Sequence, residues 1–269
     1  MILTVSLNGN TDRCYMVDKS AAIAGAKVIS TGFTPWMSGN LLEESLKLFD
    51  IEGAYYYLKE EEVPQVPNWD EISKNFLHHY RRLMKRAEVI VLSGDLPPGL
   101  DSRFYQKLIR IAKKAGKKVI IDSDRTILET DSIEPPTMVS VHVADVPGCH
   151  HKKELLEIIK DAEAIQKKGV ELVLLSLGNG DSLLVCDEGV YRSRAPLNVA
   201  ESLSAGSCCC GGGLIAGFAL GLAESQSLPD TYKEASAISA ASGSLKDCIA
   251  FNNDDIQRYH SRILIEKIK

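Results

Sequence analysis

Val89-Ile90-Val91-Leu92 and Lys118-Val119-Ile120-Ile121-Asp122 are two short, almost wholly apolar runs, and the segment between them reads as a helix. Ser102 is a good N-cap residue, Phe104, Leu108, Ile111, Ala112 and Ala115 recur on one helical face, and Gly116 closes the helix. An apolar strand, a helix and another apolar strand make a unit of parallel sheet covered by helices. The pattern continues in both directions. Glu71 to Arg86 reads as a helix, Met138 to Val143 as a strand, Lys152 to Lys168 as a helix and Leu172 to Leu175 as a strand, followed by a hairpin of Ser182 to Cys186 and Val190 to Ser193. Met1 to Leu7 and Lys27 to Ser30 read as the first strands, with Gly32 to Trp36 as loop and Asn40 to Phe49 as a helix. The last third is helical, at Leu214 to Ala223, Thr231 to Lys246 and Asp254 to Tyr259, before a short apolar tail at Ile263 to Ile265.

With 269 residues, 45% hydrophobic and 25% charged, the chain fits one large globular α/β domain over residues 1–269. A net charge of −5 argues against nucleic acid or an anionic membrane as the main partner, and Arg81-Arg82 and Lys113-Lys114 read as solvated helix faces. No segment is long enough to span a membrane, and Met1 leads directly into a strand. Seven cysteines without C-x-x-C spacing fit a reducing cytoplasm.

In a parallel sheet, ligands sit beyond the carboxyl ends of the strands. The residues there are Asn8 and Asp12, Ser93-Gly94-Asp95, Asp122-Ser123-Asp124, Ala144-Asp145 and Gly178-Asn179-Gly180-Asp181. A further stretch, Ser202 to Gly213, is uncharged and all small except Leu203, and it runs straight into the apolar helix from Leu214. Small residues let the orphan amides and the dipole of a helix N-terminus approach an anion, so this is a candidate phosphate turn; the alternative is a Gly-rich loop before a buried helix.

Several of these segments resemble one family. Val91-Leu92-Ser93-Gly94-Asp95-Leu96-Pro97-Pro98-Gly99-Leu100 is similar to the S-G-S-L-P-x-G signature of the ribokinase-like (PfkB) sugar kinases, in particular their 1-phosphofructokinase and tagatose-6-phosphate kinase branch. Met1 to Asn8 with Asp12-Arg13, Leu175-Ser176-Leu177-Gly178, and Ala216-Gly217-Phe218 resemble other parts of the same family, over nearly the whole chain. The resemblance implies a three-layer α/β/α sandwich with a mostly parallel sheet. It also implies ATP and Mg²⁺ as cofactors, and a sugar phosphate such as fructose 1-phosphate or tagatose 6-phosphate as substrate. It places phosphate and nucleotide at Ser176, Gly178, Gly211, Gly212 and Gly213, and the sugar at Asn8 and Asp12, where the alternative is an Asx turn closing the strand.

The departures from the pattern bear on activity. The family's loop before Ala216-Gly217-Phe218 ends in an Asp that acts as base, and here Gly212 or Cys208 holds that position, with Ser207 a third alignment. A positioned base is worth roughly 10²–10⁴ in rate, so no residue is assigned as catalytic. The G-G-K-G motif is missing around residues 18–21, and the T-R pair and lid strands around 55–70, so the β-sheet lid is expected to be reduced or absent. Val143 to Pro147 lacks the Asn and Glu of the P-N-x-x-E motif. Asp181 falls where the family has glycine, and a carboxylate there would repel phosphate or obstruct the base pocket.

These losses give two expectations. The first is a degenerate homologue with weak or no phosphotransfer, acting by binding a ligand, a protein partner or a second copy of itself. The second is an active kinase in which Asp12, Asp122 or Asp145 serves as base. No metal site is assigned, since Asp122 with Asp124, Cys149-His150-His151 and Cys208-Cys209-Cys210 read as loop or capping residues rather than ligand sets. His78-His79 reads as part of a helix surface.

Overall fold

A computed structural model describes residues 1–6, 19–35, 52–58, 69–94, 96, 100–122, 134–142, 155–177, 180–194, 196, 210–243 and 251–269. Among the described residues ten strands form one sheet: β1 (Ile2–Ser6), β2 (Val28–Pro35), β3 (Glu52–Leu58), β4 (Val89–Ser93), β5 (Lys118–Asp122), β6 (Met138–His142), β7 (Leu172–Ser176), β8 (Ser182–Cys186), β9 (Gly189–Arg194) and β10 (Leu264–Lys267). Their order is β10-β9-β8-β7-β6-β5-β4-β1-β2-β3. The seven strands from β3 to β7 run parallel, and β8, β9 and β10 close one side as an antiparallel meander. The strand order reverses beside β1, which makes the β1/β4 carboxyl ends the natural crevice.

The described helices are α1 (Trp69–Met84), α2 (Ser102–Lys114), α3 (Leu155–Gln166), α4 (Cys210–Glu224), α5 (Leu228–Gly243) and α6 (Asn253–His260), with a helical turn at 19–23. On one face α1 and α2 bury Phe76, Tyr80, Phe104 and Leu108 against Leu3, Ile90 and Ile121, and α3 buries Ile158, Ile159 and Ala162 against Val139, Val173 and Leu183. On the other face α4 and α5 bury Leu214, Phe218, Tyr232 and Ala235 against Val91, Ile120, Leu174 and Leu184. The result is the expected three-layer α/β/α sandwich.

Differences from the sequence reading are local. β2 continues to Pro35 rather than ending at Ser30, because β3 supplies a ladder partner for each residue from Ile29 onward. That pairing overrides the loop-like Gly32 and Pro35. The N-cap of α2 is Asp101, whose carboxylate accepts from the Arg103 amide, and Ala115 is the exposed C-cap rather than a core residue. The apolar tail is part of β10, an edge strand on β9. The helix expected at Asn40 to Phe49 lies outside the described residues.

Candidate functional site

The direction of α4 fixes where its N-terminus lies. Lys118, the first residue of β5, donates from Nζ to the carbonyl of Leu222 in the last turn of α4, at 2.7 Å. Thus α4 runs antiparallel to β5, and its first turn lies toward the carboxyl ends of the strands. From Lys118 to Asp122 the strand rises about 13 Å. The same distance back along α4 from Leu222 is about nine residues, which brings Gly213 level with Asp122.

Alternation along each strand then sorts side chains by face. Ile2, Val28, Val91, Ile120, Leu174 and Leu184 pack under α4 and α5, so the residues two further on, or two before on antiparallel β8, share that face. Those positions turn polar at the carboxyl edge. Ser6, Ser93, Asp122 and Ser140 are successive partners across β1, β4, β5 and β6, and Ser176, Ser182 and Ser193 across β7, β8 and β9. All are buried. They make a hydroxyl-lined floor with one carboxylate, Asp122, facing the first turn of α4.

Hydrogen bonds hold this floor. Ser93 Oγ donates to Asp122 Oδ2 at 3.1 Å, and the Gly94 amide donates to the Asp122 carbonyl at 3.2 Å. Gly94 has φ of +85°, a left-handed conformation that favours glycine, and the Tyr105 hydroxyl donates to its carbonyl. On the other side the Tyr232 hydroxyl donates to the Ser182 carbonyl at 2.9 Å and accepts from the Ser193 amide at 3.0 Å, tying α5 to the hairpin. Burial pushes the Tyr232 phenol well above its ordinary value.

The glycines of α4 have two different reasons. A Cβ on Gly213, Gly217 or Gly221 would come within 2.8 Å of Ser239, 2.3 Å of Ala235 or 2.4 Å of Thr231, so close approach of α5 requires them. A Cβ on Gly211 would meet nothing within 4 Å. Gly211 therefore borders open space at a helix N-terminus whose amides have no intrahelical acceptor, which is what a bound phosphate needs.

Among the residues expected from sequence, Ser176, Gly211, Gly212 and Gly213 lie at the carboxyl edge on the α4 face, with Gly212 buried in the first helical turn. Asn8, Asp12, Gly178, Cys208, Asp95, Asp124, Asp145 and Cys149-His150-His151 lie outside the described residues. Asp181 does not stand as a lone carboxylate. Arg192 Nη2 donates to its Oδ2 at 2.5 Å, which neutralises the charge expected to repel phosphate. Sequence reading missed the serines Ser6, Ser140, Ser182 and Ser193; only Ser6, the polar last residue of an apolar strand, carried a local signal, whereas Ser140 lies inside β6, Ser182 begins β8 and Ser193 precedes the end of β9. It also missed Lys19, which is only 1% exposed at the start of the helical turn before β2. Among the described residues no group of three His, Cys, Asp or Glu could hold a metal ion, and no helix is long and apolar enough to cross a membrane.

A polar carboxyl edge on a mostly parallel sheet, facing the N-terminus of a covering helix, defines an α/β sandwich whose ligand edge is of the kind found in such folds. Residues 53–255 match the model of the pfkB family of carbohydrate kinases, and the chain belongs to that family. It is 24% identical to the tagatose-6-phosphate kinase of Staphylococcus epidermidis over 314 positions that cover the whole of both chains. Its fold is similar to that of a possible 1-phosphofructokinase from Thermotoga maritima, with a TM-score of 0.81 at 17% identity over all of both chains. Phosphofructokinase-2 from Escherichia coli in complex with fructose-6-phosphate gives a TM-score of 0.73 at 19% identity, over 97% of this chain and 98% of the other. The ribokinase-like fold expected from the motifs is thus the fold of the chain.

Proposed function

We propose that this chain binds a phosphate-bearing sugar, a nucleotide or both at the α4 N-terminus, transfers phosphate weakly or not at all, and acts through that binding or through a protein partner. One observation carries the reading: the first turn of α4 borders open space at Gly211, yet it holds no acidic residue. Phosphoryl transfer depends on positioning and charge neutralisation, so an intact anion hole without a base would bind far better than it turns over.

ATP with Mg²⁺ would supply the phosphoryl group and neutralise its charge. The amides of α4 suit the phosphate, and Asp122 would offer the cation one carboxylate. The reduced lid is a proposal on the same footing, supported by an alignment of 314 positions against 269 residues. A cytoplasmic location is proposed as well, supported by seven cysteines without C-x-x-C spacing.

Asp122 favours a second reading, an active kinase for a sugar phosphate such as fructose 1-phosphate or tagatose 6-phosphate. It is buried, faces α4 level with Gly213 and is oriented by Ser93. Titrating ATP, ADP and the two sugar phosphates with and without Mg²⁺, alongside a coupled turnover assay, separates the readings. Binding with turnover at the limit of detection supports the first. Robust turnover that Asp122→Asn lowers roughly 10²–10⁴-fold supports the second. No binding by any of the four ligands overturns both.

A further inference from the structure

The sandwich has a second charged feature, on the face away from α4. Between Trp69 and Lys118 the chain carries twelve Lys and Arg against five Asp and Glu, while the rest carries nineteen against thirty-one. The excess is organised. On α1 and the turn just after it, Lys74, Arg81 and Lys85, with His78 between them, follow spacings of four, three and four residues, and all are exposed. On α2, Arg103, Lys107, Arg110 and Lys114 follow the same spacings, and all are exposed.

The two rows stand side by side. Both helices are crossovers between parallel strands, so they run in the same direction. Phe76 lies 5.9 Å from Phe104 between ring centroids, and the Tyr80 hydroxyl donates to the Leu108 carbonyl at 3.2 Å. That contact pairs residues 28 apart, whereas the cations of the two rows are 29 apart, so each cation of α1 stands almost level with one of α2.

Helix stability does not account for the pattern. Basic residues suit the last turn of a helix, but Lys74, Arg103 and Lys107 lie in the first halves, and α2 has no acidic residue in its first turn. Like charges at these spacings repel. Arg103 pairs with Asp101 and Arg82 meets the His79 ring, while among the described residues Lys85, Lys107, Arg110 and Lys114 have no ion-pair partner. Acidic residues of α1 are confined to its start, at Asp70 and Glu71.

We propose that the outer face of α1 and α2 binds the phosphate backbone of a nucleic acid. The exposed large apolar side chains among the described residues, Leu156, Leu264 and Ile268, all lie on other elements. The face therefore lacks the apolar anchors of a protein interface or a membrane-inserting surface. Rows of cations without base-stacking aromatics recognise backbone charge rather than sequence. The net charge of −5, which pointed away from nucleic acid, does not oppose this. Charges on the far side of the sheet are screened beyond about 8–10 Å at physiological salt. The inference is independent of the ligand cleft.

The test is fluorescence anisotropy of a labelled 20-base-pair duplex of mixed sequence, as DNA and as RNA, with the full chain. Binding is expected at 50 mM salt, falling about 10³-fold by 200 mM if six phosphates are neutralised. Lys107→Glu/Arg110→Glu and Arg81→Glu/Lys85→Glu should each lose tenfold or more with unchanged melting temperature, since each phosphate contact removed weakens binding uniformly across sequences. Lys160→Glu/Lys167→Glu, the same charge change on and just after α3, should leave affinity unchanged. Absence of binding at 50 mM salt, equal loss in the α3 variant, or tighter binding to polyglutamate or anionic vesicles overturns the proposal.

Discussion

Tyr232 shows how much one side chain contributes to the carboxyl edge. Its hydroxyl serves both the Ser182 carbonyl and the Ser193 amide, and its ring packs 5.7 Å from that of Phe218. Tyr232→Phe keeps the packing but leaves buried partners unsatisfied, so it should cost about 1–3 kcal/mol in urea unfolding. Burial holds the phenols of Tyr80 and Tyr232 above the ordinary value near 10. A raised folded value favours the neutral form, so the contribution is complete below pH 10 and lost as pH rises beyond it. Stability measured against pH should therefore fall above 10, and Tyr232→Phe should fall less steeply there than the parent. At this scale the sequence was only partly legible. Asp122 stood out because it ends an apolar strand, but its partner Ser93 is 29 residues away and nothing local announces the bond. Asp181 is a second case: Arg192 pairs with it across a hairpin, and nothing local announces that ion pair.

At the scale of the element, the small residues leading into α4 pointed to an approaching anion or to a loop before a buried helix, and the close approach to Gly213, Gly217 and Gly221 is made by α5. What the sequence could not separate was the purpose of each glycine. Gly217 lies against the α5 backbone, and Gly217→Ala should destabilise by about 1–3 kcal/mol through overpacking. Gly211 borders open space, and Gly211→Ala should be neutral or stabilise by up to about 1 kcal/mol, because alanine is the better helix former. Thermal unfolding of the two variants checks the contrast, and equal effects would mean that α5 does not approach as closely as the geometry shows. β2 illustrates the opposite limit. Its last residues resemble a loop by composition, and only the partner strand at 52–58 makes them part of the sheet.

At the scale of the whole molecule, the alternation of apolar strands and amphipathic helices was enough to define a parallel sheet with its ligand edge. The motif at Val91 to Leu100 was enough to place the family. Charge segregation was not legible, because Lys74, Arg81 and Lys85 and the row from Arg103 to Lys114 stand side by side only once α1 and α2 pack together. The account as a whole rests on the open first turn of α4 holding a phosphate group. Parallel calorimetric titrations of ADP with Mg²⁺ into the parent chain and into Gly211→Val test that most directly. Saturable binding to the parent, lost in a variant whose melting temperature is unchanged, is the expected result. Equal binding by both chains, or no heat from either at millimolar nucleotide, would contradict it.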